Sequence, residues 1–339
     1  MKVWLRILAW CIWCTKGLAQ ELLPLGFWAQ PQLLNPALTG VMDGQFRFSA
    51  THQFRPATGF ADLSSTWAGV DFPFRLRELP AGGGSYVLID RAAAWSTYKL
   101  GAGLAYEAPL GPRVRYDHLR AGISAAAVNR RVEPSDLYFE DQFDGRGFGR
   151  PTQEGFGNLS QWHADISIGA IYFRTQKIPG NTEVAPFLGF SVSRINRPAV
   201  GLLVRRSERL SVFWCVQGGA RLFTRTPFQI AASLLYARAN QSEWLGGSLL
   251  AEFVVYEGGY WFTRPLGSIL AGAVLRARDQ YALVAGFTLQ KGLTVGLAYG
   301  LLTRRTITPT AFGGIQVMLQ YQLGYNYRER GTVYPFPPF

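Results

Sequence analysis

Ile315-Gln316-Val317-Met318-Leu319-Gln320-Tyr321-Gln322-Leu323 is a run in which every second residue is apolar and, Met318 apart, every intervening one is a glutamine. Side chains alternate across a β-strand. The run therefore sets Ile315, Val317, Leu319, Tyr321 and Leu323 on a face that seeks hydrocarbon, opposite a face that seeks water. Such a strand should reject a charge at Leu319 and accept one at Gln320. Tyr281, Leu283, Ala285, Phe287 and Leu289 form a similar row opposite Ala282, Gly286, Thr288 and Gln290. The next strand, Leu293 to Gly300, follows after only Lys291-Gly292, a tight hairpin.

Working back from this pair, the same character recurs at 63–70, 100–106, 119–128, 164–173, 184–192, 210–222, 228–236, 245–255 and 269–275. Tyr or Trp recurs at the ends, as at Trp67, Tyr106, Tyr172, Trp244 and Tyr299. Amphipathic rings at strand ends suit the two membrane interfaces. The first strand is Gln45 to Phe54, where Phe46, Phe48 and Ala50 alternate with Arg47, Ser49 and Thr51. It is preceded by Leu33 to Gly40, in which Pro36 keeps Asn35 out of the helical region and Gly40 supplies a turn, so an extended lead-in segment is expected.

No stretch after residue 19 holds enough uncharged apolar residues for a transmembrane helix; the longest, 266–275, is ten. Hydrophobic residues nevertheless make up 48% of the chain and aromatics 14%, with 38 glycines, which fits short alternating strands divided by turns. The N-terminus carries Lys2 and Arg6, an apolar run from Ile7 to Cys14, and Gly17-Leu18-Ala19. This pattern reads as a signal peptide, residues 1–19, cleaved after Ala19. Cys11 and Cys14 each follow a Trp, which argues against a lipid-attachment site. Only Cys215 would remain, so no intramolecular disulfide can form.

Loss of Lys2, Arg6 and Lys16 lowers the formal net charge from +12 to +9. The arginines are spread among apolar strands rather than clustered, which excludes a nucleic-acid-binding tract. With 19 residues removed, 320 remain. At roughly 20 to 25 residues per strand and connection, that length gives about 13 to 16 strands. The expected fold is therefore all-β, a transmembrane antiparallel β-barrel of the outer membrane with about 14 strands. It forms a single domain over 20–339, with one long loop at 130–161.

Several of these stretches resemble the PorP/SprF family of outer-membrane proteins associated with the type IX secretion system of Bacteroidota. Asn35-Pro36-Ala37-Leu38-Thr39-Gly40 is similar to the family's opening motif. Thr51-His52-Gln53-Phe54 stands where the family usually has Tyr-Arg-Asn-Gln-Trp; Gln53 matches and Phe54 replaces the Trp. Gly122-Ile123-Ser124-Ala125 and then Leu137-Tyr138-Phe139-Glu140-Asp141-Gln142 resemble the central strand and its Leu-x-Phe-x-Asp-Gln loop, and Asp165 with Gly169 the returning strand. Gly272, Arg276, Asp279 and Gly286 resemble a later strand pair, and Gly313-Gly314 the segment before the closing strand. The stretch between Tyr106 and Leu119 is short for the family, as if one strand were merged. The tail from Tyr334 to Phe339 is proline-rich, so Tyr325 or Tyr327 is the better candidate for the terminal aromatic that barrel assembly reads.

The resemblance implies family-motif or partner-binding roles for Asn35, Pro36, Gly40, Gln53, Phe139, Asp141, Gln142 and Phe143. It also implies partners among secreted surface proteins or adhesins and type IX secretion components, besides outer-membrane lipid. No catalytic, cofactor or metal constellation stands out. His52, His118 and His163 lack ligand spacing, Asp141, Asp144 and Gly145 lack that of a calcium loop, and no serine sits in a Gly-x-Ser-x-Gly elbow. The reading is a non-enzymatic barrel assisting type IX secretion, surface attachment or gliding-adhesin export. The alternative is a diffusion channel or hydrophobic-solute transporter, which the same strands would support.

Overall fold

Period-two alternation becomes strand almost throughout. A computed structural model describes residues 24–324, except 57–61, 78, 109, 111–116, 134–141, 144–159, 179–181, 202–207, 224–226, 241, 257–264, 278–279, 290–291 and 303–311. The strands are β1 (Phe46–Arg55), β2 (Leu63–Leu76), β3 (Leu79–Ala92), β4 (Trp95–Ala108), β5 (Asp117–Val132), β6 (Ser160–Arg174), β7 (Gln176–Ile178), β8 (Thr182–Ser193), β9 (Ala199–Val200), β10 (Glu208–Arg209), β11 (Phe213–Phe223), β12 (Phe228–Ala239), β13 (Ser242–Tyr256), β14 (Pro265–Arg276), β15 (Gln280–Leu289), β16 (Leu293–Leu302) and β17 (Phe312–Leu323).

Fourteen of these pair antiparallel in sequence order, and the sheet closes because β17 returns to β1 and β8 pairs with β11. The short β7 adds to β8, and β9 pairs with β10 outside the wall. Closure removes every edge, which is what a sheet in lipid requires.

The outward rows are the apolar ones. Leu100, Leu188, Leu234 and Leu275, on four different strands, are each 62% to 66% exposed, and Leu319 and Phe287 lie on the same outer surface. Trp95, Tyr98, Trp162, Tyr281 and Tyr299 are exposed towards one mouth, and Phe46, Tyr106, Tyr172 and Tyr321 towards the other. Two aromatic bands flanking an apolar belt are the signature of a membrane-spanning barrel. Trp67 and Trp244, which sequence alone groups with those bands, point inward and are buried.

Three expectations change. The strand β3 is absent from the sequence reading, because Pro80 and Gly82-Gly83-Gly84 resemble a turn; it pairs with both β2 and β4 over its whole length. No strand is merged between Tyr106 and Leu119, since β4 and β5 pair directly from Ala108 with Leu119 to Trp95 with Val132. The loop expected at 130–161 is shorter at both ends, Arg130 pairing with Gln161 and Arg131 with Ser160. The rest of that loop, apart from Val132, Glu133, Gln142 and Phe143, lies outside the described residues, as do the residues read as a signal peptide, Tyr325, Tyr327 and the tail.

Candidate functional site: a segment inside the barrel

Residues 24–44 do not run extended into β1. They fold into a 3-10 turn (Phe27–Ala29), a single α-helical turn, α1 (Pro31–Leu34), and a second 3-10 turn (Pro36–Leu38). Most of their side chains are buried, although the chain precedes the first strand. They occupy the lumen.

Asn35 keeps the extended backbone that the following proline demands, with φ −155° and ψ 117°. From there its side chain caps the next turn, Oδ1 accepting from Ala37 N at 3.0 Å. Nδ2 donates to the wall, to the carbonyls of Ala170 in β6 (3.1 Å) and Phe190 in β8 (3.3 Å). Pro36 takes the first position of the turn, where its missing N–H costs nothing. Gly40, at φ +73°, turns the chain back towards β1 and donates its N–H to Asp71 Oδ2 at 2.7 Å.

The wall is cut to fit this segment. A Cβ on Gly122 of β5 would lie 2.5 Å from Ala37 N, one on Gly169 of β6 would collide with Asn35 Oδ1, and one on Gly82 of β3 with the Thr39 carbonyl. Gly122 and Gly169 are register partners, so together they leave one pocket for Asn35 and Pro36.

Charges lock the same stretch. Arg47 grips Asp71 in a fork, Nε to Oδ1 at 2.9 Å and Nη2 to Oδ2 at 2.6 Å, while Nη1 donates to the Val41 carbonyl. Arg120 donates to the carbonyls of Ala37 (3.2 Å) and Thr39 (2.9 Å) and pairs with Glu107, whose other oxygen lies 2.7 Å from His118 Nδ1. His118 in turn stacks on Phe173, ring centroids 4.7 Å apart. Paired this way, buried charges are kept only at good geometry, and all of these side chains are buried.

The segment also reaches the remaining wall. Gln53 Oε1 accepts from Leu25 N (3.0 Å), and its register partner Gln316 accepts through Oε1 from Gly26 N (2.7 Å). Gln30 donates to Thr51 (2.7 Å), and Ser191 donates to the Leu34 carbonyl (2.7 Å). Leu25, Phe27, Trp28 and Ala29 join one apolar cluster with inward side chains of β11 to β17, among them Leu235, Leu250, Leu270, Val284 and Met318. Polar bonds thus hold the segment on one side of the lumen and apolar packing holds it on the other.

A cavity of about 280 Å³ remains between segment and wall, lined among others by Leu33, Leu34, Leu88, Lys99, His163 and Phe213. Lys99 pairs there with Asp165 at 3.1 Å. His52, by contrast, is exposed and sits 2.8 Å from Thr66 Oγ1.

Of the residues singled out by sequence, the structure brings Asn35, Pro36, Gly40 and Gln53 together in this lumen interface. Gln142 is half-buried and Phe143 is 51% exposed, and Phe139 and Asp141 lie outside the described residues. Sequence reasoning missed Asp71, Glu107 and Arg120. Their signal was a charge on the inward row of a strand whose outward row is largely apolar.

A sequence profile described as type IX secretion system membrane protein PorP/SprF matches residues 25–327, from the lumen segment past the last strand. The chain belongs to the PorP/SprF family. Among proteins of curated function none matches it. Solved structures similar to this PorP/SprF protein include the CymD monoaromatic hydrocarbon channel, at 12% identity over 89% of this chain and 94% of that one, TM-score 0.49. The Ralstonia pickettii toluene transporter TbuX is similar at 11% identity over 87% and 93%, TM-score 0.47. The beta domain of the Bordetella autotransporter BrkA is similar at 10% identity over 84% and 100%, TM-score 0.37. The family and the closed, apolar-belted barrel place the protein in the outer membrane.

Proposed function

We propose that this PorP/SprF protein is a non-enzymatic, plugged barrel that helps particular secreted proteins through the type IX system or holds them at the cell surface, rather than a conduit for solutes. The observation that carries the reading is the lumen. Residues 24–44 bond to β1, β2, β5, β6, β8 and β17 and pack into an apolar cluster with β11 to β17. A diffusion channel needs a continuous wet path, and this segment stands across it.

In this reading the protein reaches the outer membrane after cleavage near Ala19. Asn35, Pro36, Gly40 and Gln53 keep the plug seated. Phe139, Asp141, Gln142 and Phe143 belong to the connection that meets the partner, a secreted surface protein or adhesin.

The test is capture of the tagged barrel from native outer membranes in mild detergent, followed by identification of what accompanies it. Co-purification of a secreted surface protein or type IX component is expected. A barrel recovered alone that gives steady, solute-selective conductance after reconstitution would favour the transporter reading instead.

A further inference from the structure

The plug has a direction. Leu25 and Gly26 bond to Gln53 and Gln316, close to the end of β1 and the start of β17. Asn35 meets β6 and β8 at mid-barrel. Gly40 lies against Asp71 and Gly82, and Gln45 N donates to the carbonyl of Leu323, at the start of β1 and the end of β17. Between Pro24 and Gly44 the chain therefore traverses the lumen from one mouth to the other before β1 carries it back through the wall.

The two mouths differ. At the mouth beside Leu323, no connection between barrel strands exceeds the length of 109–116 or 257–264. At the mouth beside Pro24, the connections include 133–159 and 194–212, the latter carrying the β9–β10 hairpin. Outer-membrane barrels keep short turns on the periplasmic side and longer loops outside. An even strand number puts the start of β1 and the end of β17 at the same, short-turn mouth.

We propose that the mouth holding Pro24 faces the outside of the cell, so that the chain ahead of β1 crosses the outer membrane inside its own barrel, from exterior to periplasm. The Pro24 end of the plug and the 133–159 connection then share the face this protein offers to molecules outside the cell, while Leu323 faces the periplasm. This assignment does not rest on the secretion role, because it uses only chain direction and connection length.

Single cysteines report it. Ala277, exposed in the β14–β15 turn, marks the Pro24 mouth, and Arg75, exposed near the end of β2, marks the other. The native Cys215 is buried, so the unmodified protein is the blank. Intact cells are treated with a polyethylene-glycol maleimide too large to pass porins, and folding of each variant is checked by heat-modifiable migration. Ala277→Cys and Pro24→Cys should label in intact cells, and Arg75→Cys only after the outer membrane is permeabilised. Should Pro24→Cys fail to fold, an epitope inserted before Pro24 and probed by antibody on intact cells gives the same readout. Labelling of Arg75→Cys in intact cells overturns the orientation. Labelling of Ala277→Cys with both Pro24 probes silent overturns the outward start of the plug. Failure to capture a secreted partner would leave both results unchanged.

Discussion

Replacing Asn35 by alanine should unseat the plug without opening the barrel wall. The side chain makes three hydrogen bonds, one to Ala37 N and two to the carbonyls of Ala170 and Phe190, and none of its atoms reaches solvent. The two bonds to carbonyls contribute about 1 kcal/mol each, and stranding the buried Ala37 amide costs about 1 to 3 kcal/mol. A loss of about 3 kcal/mol in docking energy corresponds to roughly a hundredfold rise in the undocked population, at 1.4 kcal/mol per factor of ten. Hydrogen–deuterium exchange of the peptide spanning Pro31 to Gly44, measured in lipid nanodiscs, reads that population directly. Exchange there should quicken about a hundredfold while peptides from β13 to β17 stay protected. Gly169→Ala, whose methyl would collide with Asn35 Oδ1 from the wall side, should produce the same pattern by an independent route. Unchanged exchange in both variants would refute the claim that the Asn35 pocket seats the plug.

Leu319→Arg and Phe287→Arg place a charge on the lipid face at a cost of about 2 to 4 kcal/mol near mid-membrane, and should reduce the heat-modifiable folded band on a gel. Normal folded yield would mean the faces are misassigned. Asp71→Leu leaves Arg47 buried and unpaired and should destabilise by about 3 to 5 kcal/mol, whereas Arg47→Leu with Asp71→Leu should recover much of it in denaturant titration. Additive losses would refute the pairing. Deleting 136–157 and bridging with a short Gly/Ser linker should keep the barrel, because Arg131 and Ser160 are already adjacent, and, if the proposed secretion role holds, should abolish surface display of the secreted protein it serves. Display at normal levels from an intact barrel would move docking to another surface.

The wall was legible because lipid imposes a strict rule on it. The outward residues Tyr281, Leu283, Ala285, Phe287 and Leu289 of β15 and Ile315, Val317, Leu319, Tyr321 and Leu323 of β17 are all apolar or aromatic, and the alternation shows without context. β3 was hidden by the plug itself. Gly82 and Gly84 are glycines because Thr39 and Gln32 press against them, and that need for space erased the strand pattern. Gln320 read as water-facing and tolerant of arginine, but it is 2% exposed and 3.5 Å from Ser49, in a lumen that is packed rather than open. The segment from Phe27 to Thr39 gave no local hint of its place, since short helical turns around prolines look the same in a surface lead-in and in a plug. What locates it is long-range: Gly122 and Gly169 stand side by side only once β5 and β6 are paired, and Arg120 meets Thr39 across 81 residues.

The most direct measurement is the current through single barrels in planar bilayers, wild type beside a variant lacking residues 24–44. With the plug seated, the wild type should hold no steady open state, and the deletion variant, refolded to the same heat-modifiable band, should conduct continuously. A wild-type barrel that conducts as steadily as the deletion variant would contradict the account.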